Sequence, residues 1–186
     1  MDQLKDLLVD NLQDLLHAEM QLVQALPKMA EAAYHPKLKE AFEKHLAQTE
    51  GHVERLKTAF ELLGDKAQPK PCKGMHGLIA EGEEVISENE DKEEWAADLA
   101  LIAAAQKVEH YEISGYGTVR HLARQIGERE VATLLSRTLG EEESSDYLLT
   151  ELSKPILQDA TLENESPTRA PAANASVANK TKARRA

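Results

Sequence analysis

The sequence holds a single cysteine, Cys72, few aromatics (4% of residues), and no long uninterrupted apolar run. Each scarcity excludes something. One thiol rules out an intrachain disulfide and suits a reducing cytosol, so a cytoplasmic location is expected. No stretch approaches the roughly 18 apolar residues of a membrane span. The opening "MDQLKDLLVDNLQDLL" lacks a basic region followed by an apolar core and a cleavage site, so no secretory signal is read there. Few aromatics, beside abundant Ala, Leu and Glu, favour helix over sheet. Basic residues are also outnumbered, 22 against 33, giving a formal charge of −11 that suits attraction of cations and opposes general nucleic-acid binding by the body.

The charge is unevenly spread. The segment "SPTRAPAANASVANKTKARRA", from Ser166 to Ala186, carries five basic residues and no acid, so −11 overall leaves −16 on the preceding 165 residues. With two prolines and no aromatics it cannot bury enough surface to order itself. The expected organisation is therefore a helical body over residues 1–160 and a disordered basic tail over 161–186. That tail is a candidate salt-sensitive tether to nucleic acid.

Helical periodicity organises the body. Leu4, Leu8, Leu12, Leu15, Leu22, Leu26 and Met29 form one stripe, ending at a tight connection around residues 34 to 36, where Pro36 disfavours helix in the residue before it. Leu38, Ala41, Phe42, Leu56, Phe60 and Leu63 form a second stripe, with Gly64 as a stop. Residues 65–92 read as a long connection containing a short helix at "MHGLIAEGEEVISE". A third long helix is predicted from about Glu93 to Ile126, broken by Gly127, and a fourth from about Glu128 to Leu157, where Pro155 kinks or finishes it. Two hairpins joined by one long crossover predict an all-α, ferritin-like antiparallel four-helix bundle with an extra short helix in the crossover.

Polar residues interrupt these stripes. Glu19 falls between Leu15 and Leu22; His45, Thr49 and His52 between Phe42 and Leu56; Glu109 and Glu112 follow Ala105; Glu142 or Glu143, then Asp146, fall between Leu139 and Leu149. Measured from its hairpin turn, at residue 35 or 127, each of Glu19, His52, Glu109, Glu112, Glu142 and Asp146 lies roughly 22 to 28 Å along its helix. Matched heights predict one polar layer inside the bundle. Taken singly, Glu19 reads more readily as a solvated flank and His52 as a hydrogen-bonded core or boundary residue, and the other acids fit an exposed face. Together, several inward carboxylates need protons or cations, and Lys107 and Arg55 point elsewhere by period. Carboxylates with some imidazole suit iron or manganese, and bridging carboxylates can hold two ions.

At "HAEMQLVQALPKMA", "HLAQTEGHVERL", "LIAAAQKVEHYEISGYGT" and "LGEEESSDYLLTEL" the chain resembles the YciE/YciF family of ferritin-like bacterial stress proteins, over roughly residues 1 to 160. The resemblance implies a ferritin-like fold, a dinuclear metal motif and an association with stress responses, without an assigned reaction. The broader ferritin-like pattern places Glu on the first helix, Glu-x-x-His on the second, Glu on the third and Glu-x-x-His on the fourth. Glu19, His52 and Glu109 match it; Thr49 stands where the second-helix Glu belongs, Glu112 is an additional acid, and Glu143-x-x-Asp146 has Asp in place of His. The expected ligand set is Glu19, His52, Glu109, Glu112, Glu143 and Asp146 for two iron or manganese ions. Periodicity prefers Glu142 over Glu143, and that choice stays open, as does substitution by His45. Glu112 is expected to make good part of the missing second-helix Glu. Detoxification of peroxide or dioxygen, or metal sequestration, is the leading functional expectation; a dimeric structural or interaction protein is the alternative. A homodimer is expected because apolar residues such as Leu7 and Leu62 extend beyond one stripe.

Overall fold

The computed structural model describes residues 2–89 and 92–165, with side chains up to residue 161. The basic segment 166–186, and with it the expectations of disorder and nucleic-acid tethering, lies outside the described residues.

Local chemistry sets the helix limits. Helix α1 (Asp2–Ala32) and helix α2 (Pro36–Leu63) are separated by three residues. Pro36 occupies the first turn of α2, where its missing N–H costs nothing, and the His35 ring accepts from the Lys37 amide at 3.2 Å. Asp98, buried at the start of the third long helix, accepts from the Tyr34 and His35 amides at 2.9 and 2.8 Å, fastening the first hairpin turn. Gly64 ends α2 in the left-handed conformation at φ 69°, and the Asp65 amide returns to Phe60 O at 2.9 Å.

The crossover carries α3 (Lys73–Glu88), which runs along the outside of α1 and returns the chain to the first hairpin turn. Helix α4 (Glu94–Gln125) then leads through Gly127, at φ 89°, into α5 (Arg129–Glu165). The expectation that Pro155 finishes or kinks the fourth helix near Leu157 is corrected in one respect: α5 continues to Glu165. Ile156 and Ala160 are buried beyond the proline, and their packing offsets the lost backbone hydrogen bond. The boundary expected at residue 160 therefore falls within a helix.

Helix α1 packs on α2 and α4, and α5 packs on α4 and α2, which closes a four-helix ring; α3 covers the α1–α4 side. The all-α antiparallel bundle with a helix-bearing crossover is the architecture the periodicity predicts.

The core is divided. One apolar cluster lies towards the first hairpin turn and includes Leu22, Leu26, Phe42, Leu101 and Leu149. A second lies towards the Gly127 turn and includes Leu12, Leu56, Phe60, Tyr116 and Leu139. Between them, each of the four long helices inserts polar side chains at the same level.

Candidate metal centre

The intervening layer consists of Glu19 from α1, His45, Thr49 and His52 from α2, Glu109 and Glu112 from α4, and Glu142 from α5, all buried. Each occupies an inward position on its helix, so the bundle's own packing carries the acids into the interior. The Thr49 hydroxyl donates to His45 O at 3.0 Å within the same helix.

Two groups of ligand atoms converge here. His45, Glu109, Glu112 and Glu142 form one, and Glu19, His52 and Glu142 the other, each with its atoms within 4.8 Å of one another. His45 Nε2 lies 3.4 Å from Glu109 Oε1 and 3.7 Å from Glu142 Oε2. His52 Nδ1 lies 2.9 Å from Glu142 Oε1 and 3.3 Å from Glu19 Oε1, aligned as a hydrogen bond to neither. Glu142 belongs to both groups.

Hydrogen-bond satisfaction tests whether these residues suit a cation. Among the described residues, eight buried side-chain polar atoms lack a hydrogen-bond partner, and seven are in this layer: Glu19 Oε2, His52 Nδ1, Glu109 Oε2, and both oxygens of Glu112 and of Glu142. Buried polar groups are ordinarily paired, since an unpaired one costs about 1–3 kcal/mol. Seven such atoms facing a common region are a donor set for cations, and the residues fit a metal pair.

The outer faces of the imidazoles are held. His52 Nε2 meets Glu141 Oε2 at 2.9 Å, and Glu141 is itself gripped by Arg55 at 2.5 Å and Arg137 at 3.2 Å. His45 Nδ1 meets Ser145 Oγ at 2.9 Å. A partner on the far ring nitrogen fixes tautomer and orientation, as metal-binding histidines require. Tyr116 donates a short hydrogen bond to Glu19 Oε1, leaving Glu19 Oε2 free.

Electrostatics agree with a site built for positive charge. Burial, and then the neighbouring carboxylates, push Glu109 and Glu112 well above their ordinary 4.5. Burial depresses the basicity of His45. Burial also acts to lower His52, but Glu142 and Glu19 outweigh it and raise the ring to about 10. Burial pushes Tyr116 up, and Glu19 and Glu112 add to the effect.

Of the six ligands expected from sequence, the bundle brings Glu19, His52, Glu109 and Glu112 together. Two positions on α5 need correction. Glu143 is exposed, because one residue is a 100° rotation on a helix, and Glu142 takes the inward place that periodicity prefers. Asp146 sits at the rim, accepting from Gln106 Nε2 at 2.9 Å with His110 at 3.4 Å, and joins neither ligand group. His45 enters the layer instead, two turns from His52 on the same face. Arg55, expected to point away, reaches the rim through Glu141 and Thr138. Glu141, which bridges His52 and Arg55, is a site-bordering residue the sequence pattern signals only through its boundary position three residues after Thr138.

Comparison with known proteins agrees with this architecture. The sequence is 46% identical to YciF of Escherichia coli strain K12 over 154 residues, covering 82% of this chain and 92% of that protein. The crystal structure of the E. coli stress protein YciF matches with a TM-score of 0.80 at 43% identity, covering 85% of this chain and 99% of that one. YcfI of Rhodopseudomonas palustris matches with a TM-score of 0.75 at 37% identity, covering 79% and 92%. The profile of a domain of unknown function, DUF892, matches residues 3–162, and the chain belongs to that family.

Proposed function

We propose that this member of the YciF-like DUF892 family holds two iron or manganese ions in the polar layer of its bundle and uses them against peroxide or dioxygen under stress. The supporting observation is the set of seven unpartnered, buried ligand atoms contributed by all four long helices. His45 Nε2, Glu109, Glu112 and Glu142 would hold one ion; Glu19, His52 Nδ1 and Glu142 would hold the other, with Glu142 shared. An oxygen-rich set with two imidazoles suits iron and manganese. When bound in the reduced state, such a pair would supply Lewis acidity and electrons for the reductive cleavage of an O–O bond.

The chain's residues do the rest. The Glu141 carboxylate accepts from His52 Nε2–H and so would leave Nδ1 facing inward as the ligand nitrogen, while Ser145 orients the His45 ring through Nδ1. Tyr116 fixes the rotamer of Glu19 by holding one of its oxygens. The apolar clusters on either side exclude bulk water from the layer. Without cations, burial and neighbouring carboxylates disfavour the charged forms of Glu109 and Glu112. Metal loading therefore releases protons. The missing second-helix carboxylate is made good by Glu112 together with His45. Exposed Leu7 and Leu62 support assembly as a homodimer, and the absence of a helix long and apolar enough to span a membrane among the described residues accords with a cytoplasmic setting.

Elemental analysis after purification under reducing, metal-replete conditions tests the reading. The expected count is one ion for each ligand group, falling sharply in Glu142→Gln and unchanged in Glu143→Gln. Near-zero metal in the unmodified chain would defeat it.

A further inference from the structure

Two cavities reach the polar layer, and their linings differ. Both touch His45 and Glu109. These are also the layer's least enclosed carboxylate and imidazole, at 3% and 6% exposure, whereas Glu19, His52, Glu112 and Glu142 are at 0%. Access to the layer therefore runs past His45 and Glu109, into the ligand group that contains them rather than the Glu19–His52 group.

The first cavity lies between α3 and the bundle. Its walls are apolar, with Leu22, Leu26, Met29, Leu78, Ile79 and Val108 among them. Its inner end is formed by His45 and Glu109, and its outer end by Lys28 and Glu83, paired at 2.6 Å between α1 and α3. The second cavity, between α2 and α5, is bordered by Lys44, Gln48, Glu141, Ser144 and Ser145. The volumes are about 50 and 100 Å³. By a measure in which one water needs about 10–15 Å³, the apolar cavity holds roughly four waters' worth of ligand, the size of an alkyl group of about four carbons.

Resting on the metal reading above, we propose that the cavity under α3 binds the alkyl group of a short-chain alkyl hydroperoxide and presents its O–O end to His45 and Glu109. Hydrogen peroxide is a poor match for this route, because it would surrender hydration against walls that return no hydrogen bonds. The cavity between α2 and α5 suits it better, because Lys44, Gln48, Glu141, Ser144 and Ser145 offer hydrogen bonds there beside Phe42 and Leu149. Dioxygen needs no cavity of this length. A branched four-carbon chain with a polar end matches the apolar walls and the polar inner end at His45 and Glu109, while Lys28 and Glu83 pair with each other at the outer end. In the balanced reaction the O–O bond of ROOH breaks, two divalent metal ions give one electron each, and two protons from solvent complete the alcohol ROH and one water.

Gly82 offers a direct test. It is buried on the α3 wall, and a Cβ there would meet only Met29 Sδ, at 4.0 Å. Gly82→Leu fills the cavity from one side without touching a ligand and replaces a poor helix former with a good one. Ala25→Leu fills it from α1 and serves as the second variant.

Saturation-transfer NMR from the full-length chain to tert-butanol reads the pocket, and initial rates with tert-butyl hydroperoxide and hydrogen peroxide read the substrate. Transfer to tert-butanol is expected in the unmodified chain and lost in both variants. In the same variants the second-order rate constant for single-turnover oxidation of the ferrous-loaded chain by tert-butyl hydroperoxide is expected to fall about tenfold or more, as pocket-filling changes do. For hydrogen peroxide it should stay within about twofold. Retained transfer in both variants, or an equal fall for both peroxides, overturns the proposal. A chain that holds two metal ions yet reduces neither peroxide overturns the substrate assignment. A chain that holds no metal defeats the metal reading alone, and the transfer measurement still decides the pocket.

Discussion

Replacing Glu112 by Met should stabilise the metal-free protein and weaken the metal-loaded one. Glu112 is fully buried, both its oxygens lack partners, and Glu19, Glu142 and Glu109 all disfavour its charge. Methionine has nearly the same length and volume and no polar atom, so it fills the space without a cavity. Removing an unsatisfied buried group recovers part of a desolvation penalty of about 1–3 kcal/mol, and about 2 kcal/mol is the central expectation. For a chain of this size that raises Tm by roughly 4–8 °C. With metal the order reverses: a ligand at a thousand times its Kd stabilises the chain it binds by about 4.1 kcal/mol, and Glu112→Met forfeits most of that. Thermal melts of both proteins, in chelator and in excess ferrous or manganous ion, supply the comparison. If the variant melts below the unmodified chain in chelator, Glu112 is a structural acid with partners of its own, and the reasoning fails.

The other predictions concern pH and the hairpin turn. In the metal-free chain, Glu109 and Glu112 have folded-state values above 4.5, so the folded state holds the extra protons and stability falls as pH rises above about 4.5. His52 adds stability that is complete below 6.5 and lost as pH rises through about 10. Chelated protein should therefore melt at lower temperature at pH 9 than at pH 6.5, while metal affinity, which competes with those protons, should rise over the same interval; a flat profile in chelator would contradict both. Asp98→Ala removes the acceptor of the Tyr34 and His35 amides at a partly exposed turn and should cost about 1–3 kcal/mol by urea denaturation, with a loss below about 0.5 kcal/mol refuting that fastening role.

Much of this molecule was legible from local signals. Pro36, Gly64 and Gly127 each act through their own backbone, so the hairpin limits could be placed without tertiary information. The division of the core by a polar layer was visible because helical period and distance from a turn are both one-dimensional measures. What failed depended on three dimensions. Pro155 alone signals a stop, but the burial of Ile156 and Ala160 carries α5 past it. The choice of Glu143 followed a family template over the helical period, and a single residue of register separates an exposed side chain from a buried one. Asp146 has the right height but lies on the flank, where Gln106 claims it. His45 stays only an open alternative in the sequence because its backbone is a turn or two lower than that of His52, whereas its side chain reaches Glu109 and Glu142. The rim contact of Arg55 and Glu141 depends on how α2 and α5 pack, which no pattern within either helix encodes.

The most direct test is anomalous X-ray diffraction, at the iron or manganese edge, from crystals of the full chain grown with that metal under reducing conditions. The account predicts two peaks per chain in the polar layer, one contacting His45 Nε2, Glu109 and Glu112, the other Glu19 and His52 Nδ1, with Glu142 touching both. Peaks at Glu143 and Asp146, or a layer without a peak while Glu112 stays buried and protonated, would contradict it.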